Sequence, residues 1–150
     1  MRQHPAGVAD EGPIVCTTTV LVTVADDPPV PLPAELRYTA TDPYAVCLSL
    51  GAPSSPAAVD WVFARSLLAR GLRRPAGAGD VVVIPRHRCH PDAVRILLRT
   101  RHGAAVVKIA SGAVTAFLHR ADALVPPGTE HRHLDLDLDH MVHRLTAGSE

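Results

Sequence analysis

The chain has 150 residues, 47% of them hydrophobic and 20% charged, and a formal net charge of zero with histidines neutral. That is one domain's worth of sequence, able to bury about 70% of its unfolded surface without disulfide or metal staples. The balance of charge argues against a generally basic nucleic-acid binder, though not against a local patch.

Residues 1–13 are polar, contain Pro and Gly and lack periodicity; they read as a disordered tail ahead of one domain over residues 14–146. No apolar leader stands at the N-terminus, and the longest aliphatic run is Val81 to Ile84, far short of the roughly 18 residues of a membrane span. Cys16, Cys47 and Cys89 are scattered, odd in number and form no CxxC pair. A soluble, cytoplasmic protein with reduced thiols is the expectation.

From Val15 to Val24 the chain is dense in β-branched residues and reads as a strand, with Val20, Val22 and Val24 on one face. Asp26-Asp27-Pro28-Pro29 interrupts it. Glu35 to Thr41 reads as a second strand and Asp42-Pro43 as a turn. Tyr44 to Leu50 alternates as a third strand, with Tyr44, Val46, Leu48 and Leu50 facing one way. Val59 to Phe63 is a fourth. Ser66 to Arg70 switches to helix formers, stopped by Gly71 or by the Gly77 region. Val81 to Ile84, Ala93 to Thr100 and Ala104 to Ala110 are three further strands, the last two joined by a tight Arg101-His102-Gly103 connection. Ser111 to Leu124 is the strongest helix. Ser111 is its expected N-cap, and Val114, Phe117, Leu118, Ala121 and Leu124 fall at helical spacing. Leu134 to Leu145 reads as a last helix, although Leu-Asp-Leu-Asp-Leu would equally suit a strand. The fold class is α+β: about seven mostly antiparallel strands, one short helix, one long helix and this third C-terminal one.

Three constellations bear on chemistry. His131, His133, His140 and His143 bracket Asp135, Asp137 and Asp139. His140 and His143 would share a helical face, so a transition metal is the chemistry to weigh. Surface histidines closing a short domain are the plainer reading and the one adopted: no metal and no cofactor. Next, nine arginines and only two acids lie between residues 65 and 101. Arg86, Arg88, Arg95, Arg99 and Arg101 sit at alternate positions, so one sheet face would be positive and suit phosphates or an acidic protein surface. Single-strand nucleic-acid binding usually adds aromatic platforms, and this chain has five aromatics, Tyr38, Tyr44, Trp61, Phe63 and Phe117. Four of them are expected in core or strand positions, so a solvated arginine face, or a face for an acidic protein partner, is favoured over nucleic acid. Finally, the nucleophile elbow, P-loop, dinucleotide fingerprint and H-E-x-x-H are all missing. Cys89 and His90 are neighbours that would point to opposite faces of a strand. The expectation is a non-enzyme. Val59, Trp61 and Phe63 share one strand face, read as core, with an exposed partner face as the alternative.

Several phrases occur in a fixed order: Leu36-Arg37-Tyr38, Asp42-Pro43-Tyr44-Ala45-Val46, Val59-Asp60-Trp61-Val62-Phe63-Ala64-Arg65, Leu67-Leu68-Ala69-Arg70-Gly71-Leu72, Gly77-Ala78-Gly79-Asp80-Val81 and Val125-Pro126-Pro127-Gly128-Thr129-Glu130-His131-Arg132-His133. Together they resemble the SsgA-like proteins, sporulation and cell-division regulators of actinomycetes, over roughly residues 15–137. The resemblance implies a β-rich α/β domain similar to whirly-type single-strand nucleic-acid-binding domains, associating into homo-oligomers. It implies action without known catalysis, in placing or timing division septa and remodelling cell wall. The implied partners are other SsgA-like proteins and the tubulin-like division machinery, at septa in the cytoplasm. The alternative function is a single-stranded nucleic-acid-binding regulator using region 65–101. Arg86-His87-Arg88-Cys89-His90-Pro91, the N-terminal tail and the C-terminus after Asp139 match no family phrase. The matched positions look structural, so the resemblance assigns neither a paralogue nor a functional residue.

Overall fold

Alternating and β-branched runs make the sheet. β1 (Ile14–Val24), β2 (Val30–Tyr38), β3 (Ala45–Leu50) and β4 (Val59–Ala64) form one meander; β5 (Val81–Ile84), β6 (Ala93–Thr100) and β7 (Gly103–Ala110) form another. Antiparallel pairing of β1 with β7 joins them into one sheet of order β4-β3-β2-β1-β7-β6-β5. Among the described residues, two helices of seven residues or more flank the sheet, α1 (Arg65–Gly71) after β4 and α2 (Ser111–Leu124) after β7. The computed structural model describes residues 12–52, 55–85, 92–134 and 142.

The period-2 pattern decides what is buried. Val20, Val22, Leu36, Tyr38, Val46, Leu48, Val94, Ile96, Leu98, Val107 and Ile109 all point to one face. α2 lays Val114, Phe117, Leu118 and Ala121 against that face, the apolar stripe its 3.6-residue spacing predicts. The opposite sheet face is uncovered among the described residues.

Four sequence expectations are corrected. β2 starts at Val30, not Glu35, and runs through Pro31 and Pro33. Pro33 lies beyond the end of β3, and its carbonyl accepts the Gly51 N–H at 2.8 Å on that side. Its imino nitrogen therefore faces away from β1, and no ladder bond is lost. Tyr44 lies in the turn before β3 and is 48% exposed, because Pro43 takes the buried place. Val24, expected on the core face, is half exposed at the sheet's open end. Ser111 is the first helical residue rather than the N-cap: β7 feeds α2 directly, Ala110 is the cap residue, and the Ser111 N–H is met by the Asp92 carbonyl at 2.8 Å. The C-terminal helical turn begins at residue 130; of the expected helix only Leu134 and Val142 are described, both helical, with Val142 exposed, and the tail at residues 1–11 lies outside the described residues.

α1 touches both β4 and β5, the two edge strands. Its approach to β5 requires Gly71. A Cβ there would stand 2.2 Å from Val83 Cγ1 and 2.3 Å from Val83 Cβ. Gly79, by contrast, has nothing within 4 Å of its would-be Cβ. Gly71→Ala is therefore expected to cost about 1–3 kcal/mol by overpacking. Gly79→Ala should be within about 0.5 kcal/mol of the parent. Urea unfolding midpoints at constant slope check both.

Candidate functional site

The phrases scattered through the sequence meet at one side chain. Arg65, at the β4–α1 junction, has a guanidinium side chain only 4% exposed. Its Nη1 donates to the Val125 carbonyl at 2.7 Å and the Ala121 carbonyl at 3.3 Å; its Nη2 donates to Glu130 Oε2 at 2.7 Å. Asp122 Oδ1 lies 3.3 Å away, and the guanidinium carbon stands 4.9 Å from the centre of the Tyr38 ring. The Tyr38 hydroxyl donates to the Pro43 carbonyl at 2.9 Å. Glu130 accepts the Gly128 N–H on its other oxygen at 2.8 Å. The cluster thus joins β2, the Asp42-Pro43 turn, α1, the end of α2 and the residue 125–130 segment. A cation here also meets the negative end of α2. Burial pushes the Tyr38 phenol up to about 12; the hydrogen bond from Arg65 holds the Glu130 carboxyl below its usual range. No buried side-chain nitrogen or oxygen among the described residues lacks a hydrogen-bond partner, and the cluster forms a clasp between these elements.

The uncovered sheet face is divided by charge. On β6 and β7, Arg95 stands directly opposite Lys108, which is opposite Leu21 of β1. Arg99 projects from the same face four residues on, and Arg101 lies beyond the strand in the hairpin turn. None of these cations makes an ion pair among the described residues. Across the sheet, Thr17, Glu35, Ser49 and Asp60 share one row. They line a hollow of about 410 Å³ with Arg37 and Cys47. Its carboxylates are already engaged: Glu35 with Arg37 at 2.8 Å, and Asp60 with the Ser49 hydroxyl at 2.6 Å.

The inner face is apolar and opens at the end away from α2. There Val24, Leu32, Leu50, Val59, Trp61 and Leu98 line a groove of about 590 Å³, rimmed by Thr100 and His102. Burial falls along β4 toward it: Phe63 is buried, Trp61 half-buried and Val59 half exposed. The core reading of that strand face therefore holds at Phe63 and gives way toward Val59. A groove of this size with few polar atoms has the character of a binding site.

Of the sequence candidates, Arg95 and Arg99 share a face and Arg101 only neighbours it. Lys108 is brought beside Arg95 by the β6–β7 register. Arg86 and Arg88 lie outside the described residues, as do Cys89, His90, His140 and His143. His131 and His133 sit two apart in the turn after α2, a spacing that puts them on different helical faces. Among the described residues no group of histidine, cysteine or carboxylate side chains is placed to hold a metal ion, and no helix is long and apolar enough to cross a membrane.

The clasp gives two expected outcomes. Arg65→Lys keeps the charge but loses the planar fork, and should cost about 2 kcal/mol in urea unfolding. Glu130 contributes stability that is fully present above its unfolded pKa of about 4.3 and is lost as pH falls through its lower folded value. Glu130→Gln should therefore flatten part of the loss of stability below about pH 4, measured as unfolding midpoint against pH.

Comparisons with known proteins agree with this architecture. The family model described as Streptomyces sporulation and cell division protein, SsgA, matches residues 32–130. The sporulation-specific cell division protein SsgB of Streptomyces coelicolor is 44% identical over 131 residues, covering 86% of this chain and 95% of that protein. SsgB of Kineococcus radiotolerans is 49% identical over 112 residues, 73% of this chain and 67% of that one. Among solved structures, the SsgA-like sporulation-specific cell division protein of Thermobifida fusca superposes with a TM-score of 0.81 at 34% identity, covering 89% of this chain and 97% of that one. A structure described with SsgB mutations that correlate with longitudinal cell division during sporulation of S. coelicolor gives 0.73 at 43% identity, covering 81% and 95%. With the family model spanning the clasp from Tyr38 through Arg65 to Glu130, the chain belongs to the SsgA family of sporulation and cell division proteins.

Proposed function

We propose that this protein is a non-enzymatic regulator of sporulation-specific cell division, acting on septum placement or timing and on cell-wall remodelling through protein–protein contacts. The family and its relatives support the division role. The observation that carries the contact mechanism is the open apolar groove lined by Leu32, Leu50, Val59, Trp61 and Leu98, on a scaffold whose described charged groups lie elsewhere. Exposed apolar concavities with polar rims mark interaction sites. In this reading the partners are the tubulin-like division machinery and other SsgA-like proteins, met at division septa in the cytoplasm. Arg95, Arg99 and Lys108 steer acidic partner surface toward the sheet, and self-association multiplies weak contacts.

Complementation of a sporulating actinomycete that lacks its own family member tests the proposal. The wild-type chain should restore septation and co-purify with a division protein. Val59→Asp, which places a charge on a half-exposed groove residue, should keep the melting temperature within a few degrees yet abolish both. Unaltered septation with Val59→Asp, or turnover of a small molecule by the purified protein, would overturn the reading.

A further inference from the structure

The two edges of the sheet are not equivalent. On β5 the outward-facing backbone of Val83 is already used: its N–H donates to the Ala76 carbonyl at 2.8 Å, and its carbonyl accepts the Ala76 N–H at 2.9 Å. On β4 nothing comparable occurs. The Arg65 N–H donates to the Tyr44 carbonyl at 2.7 Å, which sets the phase of the ladder. Antiparallel bonding alternates, so Val59, Trp61 and Phe63 bond toward β3, while Asp60 and Val62 turn their N–H and C=O groups outward. No described residue pairs with those groups. Val62 is 64% exposed and Val59 51%. The stretch holds neither the lysine nor the proline that commonly blunts an edge.

We propose that the free edge of β4 is a strand-addition site for an extended segment of a partner protein, one that alternates apolar and basic residues. The inference rests on the docking reading above and names its mode. The inward side chains of β4 next to this edge, Val59 and Trp61, are themselves walls of the apolar groove. A strand laid along Asp60 and Val62 would therefore gain backbone bonds and send alternate apolar side chains into that groove. Its other face would lie beside Asp60, where a lysine or arginine is the favoured cross-strand neighbour. A second copy of this chain fits less well. Pairing β4 with β4 would bring Trp61 and Phe63 of the second copy, Phe63 already buried in its own core and Trp61 packed partly buried against it.

Trp61 is the only tryptophan, so its emission reports on the groove directly. The probe is an end-capped heptapeptide of alternating valine and lysine. Titration into the whole protein should give a saturable blue shift. Val62→Pro removes one outward N–H and no internal bond, so the variant should melt like the parent and bind about tenfold or more weakly. The same peptide N-methylated on alternate residues should not bind to the parent; this arm serves equally if Val62→Pro does not fold. Absence of a saturable change, equal binding by Val62→Pro where it folds, or equal binding of the N-methylated peptide would each sink the proposal. So would a peptide-free dimer, seen by light scattering, that Val62→Pro dissolves. If the edge fails while Val59→Asp still blocks septation, only the mode of docking is lost.

Discussion

A single buried cation organises this domain. Removing a guanidinium from water is costly unless its charge and its hydrogen bonds are met. Here a helix terminus, two carboxylates and a tyrosine ring meet them together. Arg65 can be satisfied only when α2, the residue 125–130 segment, α1 and β2 have all arrived. The clasp therefore ties local structure from distant parts of the chain into one arrangement, and a partly assembled domain would leave a charge stranded.

This also explains why the family phrases looked structural. Leu36-Arg37-Tyr38, Asp42-Pro43-Tyr44, the end of Trp61-Val62-Phe63-Ala64-Arg65 and Val125 to Glu130 are far apart in sequence and adjacent in space. Leu67 to Leu72 adds Gly71, where only a hydrogen leaves room for Val83. Strand alternation and the α2 stripe were readable because burial on one face imposes a fixed period. The clasp was not readable as such: an arginine among nine in an arginine-rich stretch carries no local sign that it is buried. Lys108 joined the cationic row only through strand register. Tyr44 and Ser111 were misplaced because tight junctions, not propensity, set their positions. The groove lay beyond sequence reasoning altogether, since it depends on how far α2 reaches across the inner face.

The two sheet faces divide the labour. The inner face is apolar and covered at one end by α2, so stability and the open groove share one surface. The outer face separates cations on β6 and β7 from carboxylates on β2 and β4. In the proposed docking, steering and gripping would fall to different surfaces, charge setting encounter rates and apolar area lifetime.

The Ala76 bridge on β5 has a consequence for assembly. At Val83 the β5 margin is capped by the chain's own backbone, so the proposed strand addition falls to the β4 side. A strand received there does not expose a fresh template on the same molecule's far side. Where a strand is received as proposed, the ladder cannot be passed on at Val83, whose backbone groups are already bonded to Ala76.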